Sequence, residues 1–433
     1  LADIRFWLAD RFYERDHDLV VDTRSMLDGA RRTSAAEGPR CKVQFRSGAD
    51  VNHFSYFRND DSAGAIVAAL THAADADDRF KDYLGEWPLA DGTGEHARGW
   101  FSPRNQKDPT GPDVRGTVIL IPGLCGSELL VNEDETWAKL LALAGGAFRK
   151  KLNIDSTVTA GGPLADTYVP LANTLRQRGY KVTMHGYDWR QSLSEALPKL
   201  VEAIDAALKA TIDSRKPVHF VAHSMGGVLL RAAFASDKDL WARWNSHPGD
   251  PRVLMLGTPN QGSHAITLLL TGRDTFFRQL ALLDVCHSQE ELLKTAIHFP
   301  GVMELLPFTP EGDDKNIRDL VTWEAFQKAD GGSPWPLPIA EVLSRSRDIW
   351  RTLDGDPLLL SPRLVYVAGV AEQTPEKALI DAKGRFQLMA TPQGDGRVPW
   401  ATGIPESCMA GERVYYVRAA HGDLPKASDA YDG

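Results

Sequence analysis

From residue 115 onward, short unbroken apolar runs alternate with longer stretches that are apolar on one side only. Gly116-Thr117-Val118-Ile119-Leu120-Ile121 is apolar and β-branched throughout, the pattern of a strand covered on both faces, and a glycine-rich turn over 122–128 closes it. Residues 168–178 carry apolar positions at helical spacing, and 181–185 read as strand again. A long helix is predicted over 192–212, with Leu193, Ala196, Leu197, Leu200, Ile204 and Leu208 on one face. Further strands follow at 218–222 and 252–256, then at 364–369 and 413–417, while 264 to about 360 breaks the alternation. Strands alternating with helices predict an α/β fold, a mostly parallel sheet flanked by helices with an inserted helical cap. Ligands in such a fold bind at the carboxyl ends of the strands.

One stretch organises the rest: Val218-His219-Phe220-Val221-Ala222-His223-Ser224-Met225-Gly226-Gly227. A β-branched strand meets a serine set between small residues and passes at once into a helix-forming run, Val228-Leu229-Leu230-Arg231-Ala232-Ala233-Phe234. That order predicts a nucleophile elbow, in which a strained backbone pushes Ser224 out at the tip. Ala222 stands where the common G-x-S-x-G pattern has its first Gly, a change to the next smallest side chain. A glycine-rich strand-to-helix turn with an incidental serine is the plain alternative, and the flanking strand and helix favour the elbow.

A serine hydroxyl needs a base, and the base needs an acid to fix its tautomer. Downstream of an elbow serine the order is acid, then histidine. His421 follows the last strand in Arg418-Ala419-Ala420-His421-Gly422-Asp423, on a small-residue loop able to reach the serine. His264, His287 and His298 fall in the inserted region without a strand to position them. His223, beside the serine, is expected to line the site or pack. For the acid, Asp395 lies between the last two strands in Gly394-Asp395-Gly396-Arg397-Val398-Pro399; an Asp-Gly is often only a surface turn, but its place in the chain order raises it above that. Asp188 precedes the nucleophile and has Arg190 two residues away, which suits an ion pair. Two backbone N–H groups must face the oxyanion of an acyl-transfer intermediate: Met225 at the helix start and Leu124 after Pro122-Gly123. Gly123, His223, Asp188 and Trp189 complete the set as substrate-binding candidates. No metal ligand set and no cofactor motif is present.

Residues 1–86 have a different texture. Asp18 stands before a β-branched pair, His53 before an aromatic cluster, and helical runs follow, which resembles the C-terminal end of a second α/β-hydrolase domain that lacks its nucleophile half. A small helper domain in which Asp18 and His53 are ordinary surface residues is the alternative. Residues 87–114 are rich in Gly, Pro and Asp and read as a linker, so that the main domain spans 115–433 with its cap over about 264–360. The net charge of −9 argues against a nucleic-acid partner, which would need a basic face. No apolar run approaches the length of about 18 residues that spans a bilayer, and any membrane contact is expected to be peripheral. Cys41, Cys125, Cys286 and Cys408 form no C-x-x-C pair and are expected to be free thiols of a reducing, cytoplasmic setting. The chain opens on Leu1 in mid-amphipathic pattern, as a cut end would.

Taken together, six stretches resemble the lecithin:cholesterol acyltransferase family of the α/β-hydrolase superfamily, in its bacterial branch. They are Val118-Ile119-Leu120-Ile121-Pro122-Gly123-Leu124-Cys125-Gly126-Ser127-Glu128-Leu129, Tyr187-Asp188-Trp189-Arg190, Ala222-His223-Ser224-Met225-Gly226-Gly227, Leu256-Gly257-Thr258-Pro259-Asn260-Gln261-Gly262-Ser263, Phe299-Pro300-Gly301-Val302-Met303-Glu304-Leu305-Leu306-Pro307 and Gly394-Asp395-Gly396-Arg397-Val398-Pro399. The resemblance implies that Ser224, Asp395 and His421 match the family's triad and that Leu124 and Met225 match its oxyanion donors. It implies cap and lid segments near 124–160 and 264–345 over an acyl pocket, and a lipid acyl ester as substrate, with water or an alcohol as acceptor. Arg397 departs from the family's usual Thr, the eukaryotic members' disulfides have no counterpart, and the chain ends soon after His421 without the final helix that commonly covers the fold. A serine esterase, lipase or O-acyltransferase is thus the leading expectation. A catalytically silent hydrolase-fold module of a larger protein is the alternative, and a protease on the same scaffold is disfavoured by the lipid-family motifs.

Overall fold

The computed structural model describes residues 105–137, 139–308 and 316–427, together with a two-residue antiparallel pairing of Lys42–Val43 with Lys81–Asp82. The chain divides into two units, one of Leu1–Ser102 with Ala138–Leu141 and the other of Pro103–Trp137 with Ala142–Gly433. The remainder of 1–86, with Asp18 and His53, lies outside the described residues, as does Cys41.

Within the second unit, in chain order, the strands are β1 (Gly116–Ile121), β2 (Ser127–Val131), β3 (Asp134–Glu135), β4 (Thr159–Pro163), β5 (Tyr180–Met184), β6 (Val218–His223), β7 (Val253–Leu256), β8 (Leu364–Gly369), β9 (Thr374–Ile380), β10 (Phe386–Thr391) and β11 (Val414–Val417). The helices used below are α1 (Ala147–Lys151), α2 (Ala165–Gln177), α3 (Leu193–Thr211), α4 (Met225–Ser236), α5 (Lys238–Asn245), α6 (Ala265–Leu270), α7 (Thr275–Leu283), α8 (Gln289–Ala296), α9 (Pro300–Met303), α10 (Leu320–Ala329) and α11 (Ala340–Thr352).

Six strands form one sheet in the order β11-β8-β7-β6-β1-β5, every pair parallel. The buried runs require this: Val118, Ile119, Leu120 and Ile121 in β1 and Val218, Phe220 and Ala222 in β6 are all at most 2% exposed, so both faces must be covered. Behind β6, Phe220 packs edge-on to Phe234 of α4 and against Trp244 of α5, whose indole N–H donates to Val218 C=O at 2.8 Å. The chain leaves β1 for β5 on one side and returns to β6 on the other. This reversal opens a crevice at the carboxyl ends of β1 and β6, where open α/β sheets bind ligands. In register, Ile121 pairs with Ala222 and His223 with Leu256, so the turns after β1, β6 and β7 emerge side by side.

The insertion between β7 and β8 folds as helices α6 to α11, as its broken alternation predicts. Its aromatic residues mostly form its own core, with Trp323 fully buried and Trp335 and Trp350 nearly so, whereas Leu282 is 77% exposed. The segment near 124–160, implied as cap, carries β2 and β3, which join β4 in a three-stranded antiparallel sheet of order β3-β2-β4, with α1 between β3 and β4. β4 reads Thr-Ala-Gly-Gly-Pro, with no strand-forming run. Its course is set by a close backbone approach: a Cβ on Gly186 would sit 1.8 Å from Gly161 C=O. A β9–β10 hairpin precedes the Asp395 loop.

Candidate active site

Ser224 has φ 53° and ψ −123°, a conformation that L-residues rarely adopt, held because strand and helix meet there with no room for relaxation. The constraint is steric on both sides. A Cβ on Gly226 would lie 2.5 Å from Pro122 C=O, and one on Gly227 would lie 2.0 Å from Thr258 Oγ1. Only glycine lets α4 start this close to β1 and β7. The elbow is also pinned by Ser224 N–H donating to Leu256 C=O at 2.8 Å.

His421 Nε2 lies 2.8 Å from Ser224 Oγ, and His421 Nδ1 lies 2.7 Å from Asp395 Oδ2. The structure thus brings together the three residues that the sequence order singles out, in an unbroken line from carboxylate to hydroxyl. Asp395 is 2% exposed and Ser224 7%. Burial alone would raise the Asp395 pKa, but the neighbouring His421, its hydrogen bond, and the N–H groups of Val398 and Arg397 outweigh it and hold the carboxyl below its ordinary value. Asp395 is therefore ionised at neutral pH and accepts Nδ1–H, leaving Nε2 as the acceptor that faces the serine. Gly257, at φ 56°, makes room for both: a Cβ there would be 2.7 Å from Asp395 Oδ2 and 3.0 Å from His421 Nδ1.

On the other side of Ser224 runs the loop after β1. Gly123 packs directly on Ser224, since a Cβ there would lie 2.8 Å from Ser224 Cβ. Gly123 N–H is occupied by Tyr168 Oη at 3.0 Å. Neither Leu124 N–H nor Met225 N–H has a hydrogen-bond partner among the described residues. Both remain available to an oxyanion, and Met225 N–H stands at the positive end of α4.

The other three assigned residues are each held by protein neighbours. Asp188 is paired with Arg190: its Oδ1 accepts Arg190 Nε–H at 2.9 Å and its Oδ2 lies 2.6 Å from Nη2. Trp189 is 1% exposed, packed edge-on to Trp137 at 4.9 Å and to Phe299 at 6.0 Å, with an indole N–H that has no partner among the described residues. His223 is buried and bonded through both ring nitrogens, to Tyr168 and to the main chain of His421. Tyr168 and Tyr187 were not expected at the site. Tyr187 sits in the Tyr187-Asp188-Trp189-Arg190 motif and could have been singled out there, whereas Tyr168 is one aromatic position on the buried side of a helix and carries no local signal. Arg397 reaches across to the cap, 2.6 Å from Asp274 at the start of α7.

Among the described residues no three His, Cys, Asp or Glu side chains converge where a metal ion would sit, and no helix is long and apolar enough to cross a membrane. Cys125, Cys286 and Cys408 are free thiols, and burial pushes that of Cys125 well up.

Residues 149–338 match the family model described as lecithin:cholesterol acyltransferase. The match takes in the elbow and most of the cap and ends before Asp395. No curated protein matches the sequence. Among solved structures, a Bacillus licheniformis lipase in mature form is similar at 12% identity over 76% of this chain and 94% of its own, with a TM-score of 0.36. A metagenomic carboxyl esterase is similar at 19% identity over 77% of this chain and 71% of its own, TM-score 0.33. A phospholipase from Legionella pneumophila is similar at 13% identity over 66% of this chain and 45% of its own, TM-score 0.29. The parallel sheet flanked by helices, the elbow and the family match together make the second unit an α/β-hydrolase fold.

Proposed function

We propose, from the family match and the site geometry, that the protein is a serine-dependent lipid acyl-ester hydrolase or O-acyltransferase that works through an acyl-enzyme. The observation that carries this reading is the continuous line Asp395–His421–Ser224, with its 2.7 and 2.8 Å contacts.

Ser224 Oγ attacks the acyl carbonyl while His421 Nε2 takes its proton, and the carbonyl π-electrons move onto oxygen. Leu124 N–H and Met225 N–H hold that oxyanion; loss of one such donor costs roughly a hundredfold or more in rate. Collapse of the intermediate re-forms the carbonyl and breaks the bond to the leaving alkoxide, which takes the proton from His421. The acyl group is left on Ser224. Water or an alcohol then attacks the acyl-enzyme, gives its proton to His421, and releases acid or new ester with the serine restored. Asp395 stabilises the imidazolium in both half-reactions without itself being protonated.

The test is labelling of the full chain by a fluorophosphonate probe, wild type beside Ser224→Ala, with turnover of short and long p-nitrophenyl esters on the same samples. Labelling and turnover lost together in Ser224→Ala are expected. A folded wild type that neither labels nor turns over would sink the proposal and leave a catalytically silent module in its place.

A further inference from the structure

The peptide group between Pro122 and Gly123 is gripped at both ends. Tyr187 Oη–H donates to Pro122 C=O at 3.0 Å, and Gly123 N–H donates to Tyr168 Oη at 3.0 Å. Both tyrosines are buried, at 4% and 2% exposure. Their phenols remain neutral, since burial raises both pKa values far above the ordinary one. The next peptide along the chain carries Leu124 N–H. Its orientation follows from the clamped one, with only the two dihedrals of Gly123 between them.

From Tyr168 the contacts continue across the site. Tyr168 Oη lies 2.8 Å from His223 Nδ1, and His223 Nε2 lies 2.9 Å from the main-chain oxygen of His421. The hydrogens can be placed by elimination. A carbonyl oxygen only accepts, so Nε2 carries the hydrogen. Burial above all, and then the nearby His421, lower the His223 pKa to about 3, so the ring is neutral and Nδ1 is bare. Nδ1 therefore accepts, Tyr168 donates to it, and the lone pair left on the tyrosine oxygen takes Gly123 N–H. The sequence Gly123 N–H to Tyr168 to His223 to His421 C=O runs in one direction, and reversing any link would leave a buried group unsatisfied.

We propose that Tyr168 and His223 are positioning residues for the acyl transfer: through this chain of hydrogen bonds they fix the loop bearing Leu124 N–H and the loop bearing His421 at one separation, so that oxyanion donor and base are set together. Neither side chain hydrogen-bonds to Ser224 Oγ or to a ring nitrogen of His421. The strand positions on either side of Ser224 would otherwise leave two loops from distant parts of the sequence free to drift, and a displacement of about 1 Å in such a site can cost about a hundredfold in rate.

This inference rests on the proposed acyl-ester activity, and the experiment separates the two. In the full chain, Tyr168→Phe keeps the ring and removes both of its bonds. With p-nitrophenyl butyrate, kcat is expected to fall about tenfold to a hundredfold with KM within about twofold of wild type, and affinity for an alkylboronic acid, which mimics the tetrahedral intermediate, should fall in parallel. His223→Gln, whose amide can still donate to His421 C=O, should lose less than His223→Ala. A kcat for Tyr168→Phe within about twofold of wild type, or a loss shared equally between kcat and KM, would overturn the positioning role. A wild type that turns over no ester would instead count against the proposed function. Histidine nitrogen NMR of the wild type needs no variant to fold: His223 must show a protonated Nε2 and a bare Nδ1, and the opposite tautomer would overturn the chain as drawn.

Discussion

His421 and Asp395 are joined twice. Their side chains meet at 2.7 Å, and His421 N–H donates to Asp395 C=O at 2.8 Å. The loops after β10 and β11 therefore behave as one piece, and the carboxylate cannot turn away without dragging the imidazole with it. Asp395 Oδ1 is anchored separately, by Arg397 N–H at 2.9 Å and Val398 N–H at 2.7 Å. One oxygen holds the loop while the other orients the imidazole.

That division of labour makes Asp395→Asn informative. The amide oxygen can keep the contacts to Arg397 and Val398, so the loop should hold its shape. The NH2 then faces Nδ1 and favours the wrong tautomer, with hydrogen on Nε2 pointing at the serine. A loss of kcat of about 10³- to 10⁴-fold with an unchanged melting temperature is expected. Loss of activity by unfolding, seen as a large drop in melting temperature, would contradict the assignment.

Gly123→Ala tests the approach of the proposed oxyanion loop to the elbow. The added Cβ would stand 2.8 Å from Ser224 Cβ and 3.2 Å from His223 Nδ1. Since Ser224 is held by β6 and α4, the loop must give way, and Leu124 N–H moves with it. Steady-state kinetics should show kcat down by about a hundredfold or more, the effect of one missing oxyanion donor. Activity near wild type would mean that Leu124 N–H is not aimed by this contact.

How much of this could be read in the sequence depends on what sets each element. The buried strands were legible because β1 and β6 must be apolar on both faces, and the elbow because its small residues are forced by backbone contacts a few atoms away. The antiparallel sheet β3-β2-β4 was not, since Gly161 and Gly162 sit in a strand only because Gly186 allows the close approach. The β9–β10 hairpin, in which Phe386 and Leu388 pair with Ile380 and Ala378 across an Asp-Ala-Lys-Gly turn, has no unbroken apolar run to announce it. At the site, the order of Ser224, Asp395 and His421 pointed to residues that the fold brings together. Tyr168 could not be found that way, because its role depends on a partner 55 residues away and on a main-chain N–H. The ion pair of Asp188 with Arg190 was legible because both partners lie two residues apart in one short motif.

Glu304 gives the fold a pH dependence of its own. It is 2% exposed and caps the start of α3, accepting Leu193 N–H at 2.8 Å and Ser192 Oγ–H at 2.5 Å. Burial raises its pKa to about 7, against the lowering pull of those two bonds and of Arg318, while Asp348 adds slightly to the rise. A carboxyl with a raised pKa keeps its proton in the folded state where the unfolded chain has released it. Its contribution to stability is therefore full below about pH 4.3 and declines as pH climbs from there through about 7. Melting temperature followed across that window should fall more for wild type than for Glu304→Gln, a difference on the order of 1–3 kcal/mol. Parallel curves for the two proteins would show that Glu304 does not titrate there.

Arg397 ties the Asp395 loop to the cap. Its guanidinium lies 2.6 Å from Asp274 Oδ2, while Asp274 Oδ1 caps α7 by accepting Phe277 N–H at 2.9 Å. Asp274 is only 5% exposed, so removing the guanidinium leaves a nearly buried carboxylate with its helix cap alone. Arg397→Thr should lower the local cost of opening α7 by about 1–2 kcal/mol, which is roughly a 5- to 30-fold faster amide exchange over 275–283. Helix α3 lies outside this tie and provides the internal comparison, its exchange staying as in wild type. If α7 and α3 respond alike, the pair contributes only to general stability; if α7 alone speeds up, Arg397 is what holds this edge of the cap to the loop that carries Asp395.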